Sequence, residues 1–393
     1  MRLLFPHNDK ERRKELEKIG VSKEALDILL KKWRFLSLKI EGLTPGEANI
    51  LKQLALEIGA DVATHRNAIT GKKEKVDVLF LGTERELEKL LLRLDSQPFN
   101  LKSLSKKVKN FLSQKALIWR IKEKEIDLSK KFLIMGVLNI TPDSFYDGGK
   151  YLDKERAIKR AEEFIEEGVD IIDIGAESTR PGAEPVPMEE ELKRVLPVLK
   201  EIRRRFDGFL SVDTYKPQVA KEVAEEGADI INDTSGAKNL KGMADIIKRY
   251  KTGYVLMHIK GTPKTMQKNP SYEDVVEEVY RFFGKGLSEF ELQGVSKENI
   301  IIDPGIGFGK TLEHNLILIK RVKEFLSLHR PILVGPSRKS FIGMITGKPP
   351  EERLFGTVGT CAFLFSQGVS VFRVHDVKEI KEALAVVKEV RDV

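Results

Sequence analysis

Polar side chains follow nearly every short apolar segment between residues 132 and 393, and their types are ones that do chemistry. Acids and amides follow the earlier segments, whereas cations follow the last two. These residues are Asn139, Asp173 to Arg180, Asp213, Asn232 with Asp233, Met257 with His258, Asp303, Ser337 to Ser340, and Arg373 with His375. A site built from them would offer hydrogen-bond acceptors on one side and bind an anion on the other.

The segments that carry these residues repeat one pattern, in which an apolar strand, a polar loop and an amphipathic helix follow one another. Eight strands are predicted, at "FLIMGVLN", "VDIIDIGA", "GFLSVD", "ADIIND", "GYVLMH", "NIIIDPG", "PILVGPS" and "VSVFRVHD". Eight such units in about 250 residues predict an α/β fold of the (β/α)₈ TIM-barrel type, in which strand ends converge on one mouth. An open doubly wound sheet is the alternative, but it usually has fewer strands, and no glycine-rich fingerprint opens the first helix.

Two motifs near the end of the chain indicate an anion site. In "GPSRKS", Ser340 near a helix start would present its hydroxyl and backbone N–H groups at the positive end of a helix dipole. In "FRVHD", Arg373 and His375 stand two apart on a strand and so point the same way. "DPGIGFGK" lacks the spacing of a phosphate-binding loop.

Each of these residues also has an ordinary structural interpretation. A lone acid or amide after a strand commonly caps the next helix. Arg373 could pair with an acid, His258 could be a buried imidazole with its hydrogen bonds made, and Phe308 could anchor a loop. Taken together, these interpretations do not explain why polar residues stand at nearly every strand end.

The first 131 residues differ from the rest. They hold 29 Lys and Arg against 19 Asp and Glu. This surplus of basic residues accounts for the whole of the chain's net charge of +8. Their pattern predicts a small basic α/β extension, residues 1–131, that ends in a helical linker and precedes a catalytic barrel at residues 132–393. A basic domain can bind nucleic acid or a partner protein, but scattered charges without interleaved aromatics favour a solvated surface over nucleic-acid binding.

Composition excludes several classes of protein. One cysteine, Cys361, excludes a disulfide framework or a cysteine-built metal cluster, and its apolar surroundings predict a buried thiol. Neither a signal sequence nor a membrane-spanning apolar run is visible, so we expect a cytoplasmic protein that does not bind membranes.

Eight segments resemble the dihydropteroate synthase family in its order and approximate spacing. They are "MGVLNITPDSFYDGG", "DIGAESTRPGAEPV", "SVDTYK", "DIINDTSG", "LMHIKGTPKTMQ", "IIIDPGIGFGK", "LVGPSRKSFIG" and "FRVHDV". That pterin-binding family joins p-aminobenzoate to 6-hydroxymethyl-7,8-dihydropterin diphosphate and releases pyrophosphate. The resemblance therefore implies a transferase of folate biosynthesis, a target of sulfonamides, across residues 132–391.

The resemblance also implies a role for each matched residue. The pterin site would comprise Asp213, Asn232, Met257, Asp303 and Lys339. The pyrophosphate site would comprise Asn139, Arg180, Arg373 and His375, with Mg²⁺ beside Asn139. The p-aminobenzoate site would comprise Thr179, Arg180, Pro181, Phe308 and Ser340. The residues expected to be catalytic are Asp213, Asp303, Lys339, Arg373 and His375.

The mechanism that the resemblance implies is dissociative: pyrophosphate leaves first, and the amine then attacks a pterin methylene cation. The loop after Asn139 would be a lid with Gly148 and Gly149 as hinges. Family members are commonly dimers, so a homodimer is expected. Ala176, Tyr146 and Ile306 depart from the commonest family pattern, which bears on p-aminobenzoate contacts and sulfonamide sensitivity.

Two rival functions fit part of the pattern. Pterin-dependent methyltransferases use a related barrel, but they expel no pyrophosphate and so need no Arg-x-His strand end. A protein that only binds a pterin would show tight binding without pyrophosphate release.

Overall fold

The chain divides into two compact units, Met1–Lys115 and Ala116–Val393. The computed structural model describes residues 1–6, 8–70, 74–98, 100–113, 116–140, 150–178 and 182–392, and for residues 150–153 it describes the backbone alone. Within these ranges no helix has the length and apolar character needed to cross a bilayer.

The first unit is a small antiparallel sheet with helices. Its elements are α1 (Asp9–Ile19), α2 (Lys23–Trp33), β1 (Phe35–Leu43), α3 (Pro45–Glu57), β2 (Asp61–Thr64), β3 (Val76–Thr83), α4 (Glu84–Leu94) and α5 (Leu101–Ser113). The strand order is β1-β3-β2. Capping boxes begin α3 at Thr44 and α4 at Thr83, which satisfies backbone N–H groups that a helix start would otherwise leave unpaired.

One face of this sheet forms the core of the first unit. Buried and exposed positions alternate along β3, as expected of a strand with one face packed and the other solvated. Val78 and Phe80 on the packed face contact a cluster that includes leucines of α3 and α4. The first unit is therefore a small module of helices around one antiparallel sheet.

The second unit contains a β-hairpin and a barrel. The hairpin is β4 (Ile118–Ile121) and β5 (Lys124–Asp127), and the barrel strands are β6 (Leu133–Asn139), β7 (Ile171–Gly175), β8 (Phe209–Asp213), β9 (Ile230–Asp233), β10 (Gly253–Met257), β11 (Ile300–Asp303), β12 (Leu333–Val334) and β13 (Val371–Val374). The helices are α6 (Lys150–Glu166), α7 (Met188–Arg203), α8 (Pro217–Glu225), α9 (Leu240–Tyr250), α10 (Val275–Leu292), α11 (Leu312–Lys320), α12 (Ser340–Thr346), α13 (Leu354–Ser366) and α14 (Val377–Asp392).

The eight parallel strands close into the predicted TIM barrel. Their order is β11-β10-β9-β8-β7-β6-β13-β12, and a parallel bridge between Ile302 and Ile332 joins the two ends of that order. All eight predicted strands are present. Closure of the ring brings the carboxyl ends of all strands to one mouth, where (β/α)₈ enzymes hold their reactive groups.

Two apolar cores lie on opposite sides of the barrel wall. Ile172 and Ile174 of β7 pack between the strands and the helices, whereas Ile171 belongs to a separate core inside the barrel. Because successive side chains alternate across a strand, Asp173 and Gly175 point inward with Ile171. On β7, β8, β9 and β11 the inward row changes from apolar or aromatic near the bottom to polar at the mouth, whereas β10 ends inward with Met257.

The hairpin packs into the bottom of the barrel. Trp119 is fully buried there beside Val255 and Ile301, and its indole N–H donates to the carbonyl of Asn299 at 3.1 Å. The structure thus groups residues 116–131 with the barrel, whereas the sequence pattern had placed them in the N-terminal extension. The boundary between the two compact units falls between residues 115 and 116 of the chain.

Candidate active site

Three polar residues at strand ends form the floor of the mouth. Asp213, Asn232 and Asp303 end or nearly end β8, β9 and β11, and their exposed fractions are 8%, 2% and 7%. Asp213 pairs with Asn232 in the strand register, and Asp303 pairs with Met257. Thr234 donates to Asp213 Oδ1 at 3.2 Å. The structure therefore brings the predicted polar residues to one end of the barrel, with the buried Met257 beside Asp303.

Arg373 connects this floor to the cationic side of the mouth. Its Nε donates to Asp173 Oδ2 at 2.6 Å, and its Nη2 donates to Asp213 Oδ2 at 3.2 Å. Asn232 Nδ2 donates to the same oxygen of Asp173 at 3.1 Å. Arg373 thus has the acid partners that the structural interpretation allowed, and those acids belong to the candidate site itself.

Burial and charge together set the protonation of the floor. Burial raises the pKa of Asp213 to about 7, with Arg373 opposing and Asp173 reinforcing that rise. Burial also raises the pKa of Asp303, while Lys339 works against that rise. The pKa of Lys339 falls to about 8, mainly because the ammonium is desolvated. The charge of the floor is therefore sensitive to pH near neutrality.

Arg373 itself stays a cation in this environment. Burial acts to lower its pKa, but the adjacent carboxylates of Asp173 and Asp213 more than compensate and raise it above the usual value. A guanidinium has five donors in a planar fork. With one donor on each acid, the fork retains further N–H groups for an anionic ligand.

Lys339 and Phe308 stand side by side at the edge of the floor. Lys339 Nζ donates to the carbonyl of Ile306 and lies 4.5 Å from the centre of the Phe308 ring. Ser340 follows as the exposed first residue of α12. The predicted serine at a helix start is therefore present, directly after Lys339.

His375 and Asn139 occupy the remaining part of the mouth. His375 Nδ1 lies 3.0 Å from Ser337 Oγ, which orients the imidazole. A Cβ placed on Gly175 would lie 3.5 Å from Asn139 Oδ1 and 3.7 Å from Asp213 Cβ. Asn139 thus directs its amide oxygen to the inward row that also carries Asp213.

A pocket of about 290 Å³ opens at the same end of the barrel. Its apolar wall includes Tyr215, Ile259, Pro263 and Phe308, and Thr234, which donates to Asp213, also lines it. An aromatic ring could therefore pack at this wall while its polar edge reaches the floor.

Asp233 and Arg338 of the strand-end set have structural roles instead. Asp233 accepts from Tyr254 Oη at 2.6 Å and from Ser235, on the opposite side of β9 from Asn232. Arg338 forms an ion pair with Asp376.

His258 is the buried imidazole that the structural interpretation described. Lys310 Nζ lies 3.0 Å from its Nδ1, and burial with that ammonium nearby lowers the pKa of His258 to about 2. A histidine that stays neutral in this way does not serve as a proton carrier near pH 7.

Several predicted residues lie outside the described part of the chain. They are Thr179, Arg180 and Pro181, together with the proposed lid and its glycines Gly148 and Gly149. Glu177, two residues before the first group, accepts from the N–H of Val186 at 3.2 Å and from Lys216 Nζ at 2.5 Å.

The mouth offers few oxygen ligands for Mg²⁺, and a small number is what this ion needs when it binds together with substrate phosphates. Among the described residues, no three His, Cys, Asp or Glu side chains assemble as a metal site. Mg²⁺ usually keeps several waters and takes one or two protein oxygens plus substrate phosphates. The amide oxygen of Asn139 faces the mouth and would be one such protein ligand.

Comparison with known proteins accounts for this arrangement. The family model for pterin binding enzymes matches residues 135–375. The chain is 47% identical to the dihydropteroate synthase of Escherichia coli over 265 residues, which is 67% of this chain and 93% of that protein. The chain belongs to the dihydropteroate synthase family.

Two further relatives of the family extend the comparison. A dihydropteroate synthase from Xanthomonas albilineans, solved with 4-aminobenzoic acid, superposes with a TM-score of 0.65 at 39% identity and covers 70% of this chain and 98% of that one. The bifunctional dihydropteroate synthase/dihydropteroate reductase of Helicobacter pylori is 36% identical over 380 residues, 96% of each chain. The first similarity covers the barrel, and the second also covers the N-terminal unit.

Sequence reasoning assigned no role to Asp173 or Lys310, although both are buried at the mouth. Asp173 is fully buried, and Lys310 is 3% exposed. For Asp173 a signal existed, because it stands two residues from Ile171 and so shares its inward face. For Lys310 no comparable pattern was present.

Proposed function

We propose that this chain condenses 6-hydroxymethyl-7,8-dihydropterin diphosphate with p-aminobenzoate to give 7,8-dihydropteroate and pyrophosphate. The observation that carries the proposal is the direct contact between Arg373 and the acidic floor, through Asp173 and Asp213. One mouth thus combines acceptors for a pterin with a cation for its diphosphate.

The floor would bind the pterin by its polar edge. A pterin presents N–H donors that carboxylates such as Asp213 and Asp303 accept, while Asn232 can both donate and accept. Lys339 would donate to the ring's acceptors. Met257, buried between these residues, would pack its thioether on the flat ring.

The diphosphate would lie against Asn139, Arg373 and His375, with Arg180 joining from the adjacent loop. Mg²⁺ held beside Asn139 would supply positive charge to the departing oxygens. Arg373 would donate its free N–H groups to those oxygens while Asp173 and Asp213 keep the guanidinium in place.

The p-aminobenzoate would lie along Phe308, with its carboxylate at Ser340. The hydroxyl and backbone N–H of Ser340 are donors that suit a carboxylate. Thr179, Arg180 and Pro181 would complete this part of the site from the loop after β7.

The residues present support a dissociative reaction. The bond between the pterin methylene and the diphosphate oxygen breaks, and its electron pair leaves with pyrophosphate. The neutral amine of p-aminobenzoate then forms a C–N bond with the methylene cation and loses a proton to solvent. Asp213 and Asp303 would stabilise the cationic pterin, and Arg373 and His375 the leaving group, so no strong general base is required.

The decisive test is pyrophosphate release in the presence of both substrates and Mg²⁺. We expect release that needs p-aminobenzoate and stops when Mg²⁺ is chelated. Absence of release with intact substrates would refute the synthase and favour a pterin-binding protein. Transfer of a methyl group from a methylpterin would instead favour the methyltransferase.

We propose a second activity, reduction of 7,8-dihydropteroate to tetrahydropteroate, for the chain as a whole. The relative from Helicobacter pylori that carries both activities in its name aligns over 96% of this chain, including the first unit. The step adds a hydride to C6 and a proton to N5 of the C6=N5 bond, so it requires a reduced nicotinamide or reduced flavin as donor. A basic module that binds nucleic acid or a partner protein is the competing role for the first unit.

The reductase is tested with the full chain, dihydropteroate and either NADPH or reduced FMN. We expect tetrahydropteroate to form with one of these donors. The matched control is the synthase of Escherichia coli, whose similarity covers 67% of this chain; it should form none. If this chain also forms none while it still releases pyrophosphate, the reductase proposal fails. Salt-dependent binding to nucleic acid would then favour the competing role.

A homodimer and a cytoplasmic location remain predictions from the sequence. Equilibrium sedimentation of the full chain would test the first.

A further inference from the structure

The loop that carries Phe308 has an unusual backbone. Between Asp303 and Lys310, three glycines have positive φ: Gly305 at 66°, Gly307 at 87° and Gly309 at 65°. Such values are easily adopted by glycine, but glycine also leaves the unfolded chain the most freedom. A ring on such a loop is held in one place only if other groups fix the backbone.

Hydrogen bonds fix every carbonyl from Gly305 to Gly309. The partners, in chain order, are the N–H of Phe308, Lys339 Nζ, Gln267 Nε2, Lys310 Nζ and Tyr272 Oη. Lys310 provides the bond to the carbonyl of Phe308 itself, at 2.9 Å. It therefore acts at the residue whose ring borders the site.

Lys310 also connects this loop to the end of the neighbouring strand. Its Nζ lies 3.0 Å from His258 Nδ1 and 3.4 Å from the carbonyl of His258. That carbonyl packs tightly against the loop, since a Cβ on Gly305 would lie 1.9 Å from it. The Nζ of Lys310 thus lies within 3.4 Å of three polar atoms, two on His258 and one on Phe308.

Burying the amino group of Lys310 costs desolvation free energy, which argues that its position serves a purpose. This residue is 3% exposed, and burial lowers the pKa of Lys310 to about 7 even though the carboxylate of Asp303 acts in the opposite direction. The imidazole of His258 is enclosed in turn by Phe282 at 5.0 Å and Tyr272 at 6.2 Å. Buried ammonium groups are rare unless hydrogen bonds compensate their desolvation.

We propose that Lys310 is a positioning residue that holds the Phe308 ring in place for p-aminobenzoate. This inference rests on the proposed synthase function. Lys310 does not border the pocket, so it would act through the Phe308 carbonyl. The pterin floor is fixed by other bonds: Gly305 N–H to Asp303, Thr234 to Asp213, and Asn232 to Asp173.

The test is a double-mutant cycle with Lys310→Met and Phe308→Leu in the full chain. Methionine has nearly the length of lysine and donates no hydrogen bond. Because small displacements near reacting groups cost rate steeply, we expect Lys310→Met to raise KM for p-aminobenzoate about tenfold or more. KM for the pterin diphosphate should change less than about threefold. If Lys310 acts through Phe308, the double variant should be little worse than the worse single variant.

Lys260→Met is the matched control. Lys260 lies in the neighbouring loop, with its Nζ 4.1 Å from the centre of the Tyr272 ring, but its side chain is 43% exposed and pairs with Glu278. Its replacement should leave both KM values unchanged. Additive effects of the two replacements, or equal rises in both KM values, would overturn the positioning role.

Amide hydrogen exchange provides a readout that does not depend on catalysis. Lys310→Met should speed exchange at Phe308 and Gly307, whose N–H groups bond to Gly305 and Asn315. If Lys310→Met is too unstable, Lys310→Gln, which keeps an N–H donor, should show the same changes at smaller size. Unchanged exchange in this loop would refute the proposal, whereas a wild-type chain that releases no pyrophosphate would refute the synthase alone.

Discussion

Replacing Arg373 by methionine is expected to lower kcat/KM for pyrophosphate release by roughly a hundredfold to a thousandfold. The replacement removes donors from the leaving group and also leaves Asp173 and Asp213 without their cation. Breaking a buried ion pair from one side costs about 3–5 kcal/mol of stability. We therefore expect the melting temperature to fall together with the rate, and free-pterin binding to weaken because the floor is disturbed.

Two controls separate the loss of catalysis from the loss of stability. Arg203→Met breaks the ion pair to Asp229, at 2.8 Å and away from the mouth, and should lower the melting temperature while kcat/KM stays the same. Arg373→Lys keeps the charge but cannot contact both acids as a planar fork does, so it should recover stability more than rate. A variant Arg373→Met with full kcat/KM would contradict the role given to this residue.

Asp213→Asn is the second change with a large expected effect. The carboxylate accepts hydrogen bonds from pterin N–H groups. The asparagine amide offers one acceptor oxygen, and its NH₂ group would face the N–H groups of the pterin. We expect the affinity for the free pterin to fall by about tenfold to a hundredfold, as for loss of a charged hydrogen bond of roughly 1.5–3 kcal/mol. Calorimetric titration measures it. Asp233→Asn, which alters a buried acid on the opposite side of β9, should leave pterin affinity unchanged.

The same variant should change how binding depends on pH. Burial raises the pKa of Asp213 to about 7, so in the wild type the acceptor is lost as pH falls through neutrality. Pterin affinity should therefore decline on the acid side of about pH 7. Asp213→Asn has no proton to gain at this position, so this part of the pH profile should disappear. A profile that is the same in both proteins would remove Asp213 from the pterin site.

Stability depends on this carboxyl group with a definite sign. A folded-state pKa raised from 3.8 to about 7 means that the group favours folding below pH 3.8 and loses that contribution as pH rises through about 7. The free energy of unfolding of Asp213→Asn, relative to the wild type, should accordingly improve between pH 4 and pH 7. Denaturant titrations at both pH values measure this difference.

The periodicity of the sequence was enough to predict the barrel and most of its mouth. Each apolar strand of four to eight residues is followed by a helix with apolar positions three and four apart, and strand ends in such a fold must meet. Asp173 was in the predicted strand-end set without a role, and its spacing from Ile171 places it on the same inward face. Position at the strand ends placed Asp213, Asn232 and Asp303 at the mouth, but their grouping as a pterin site came from the family resemblance.

The contacts between distant strands could not be predicted in this way. Arg373 and Asp213 lie 160 positions apart, and only closure of the ring brings their side chains within hydrogen-bond distance. Lys310 follows three glycines with positive φ, at 305, 307 and 309, and the sequence alone does not specify where such a loop directs the next side chain. The hairpin was missed because the charged turn "KEKE" concealed the alternation of Trp119, Ile121 and Ile126.

The hairpin at the bottom of the barrel has a consequence for how such chains can be recombined. Residues matched to the family begin at 135, yet Trp119, Ile121 and Ile126 complete the inner core that contains Met135 and Val371. A chain that began at Phe132 would leave this apolar surface facing water. Exchange of N-terminal units between relatives is therefore compatible with a sound barrel only if the crossover falls ahead of Ala116. The boundary between the two units, rather than the first barrel strand, is therefore the point at which N-terminal units can be exchanged.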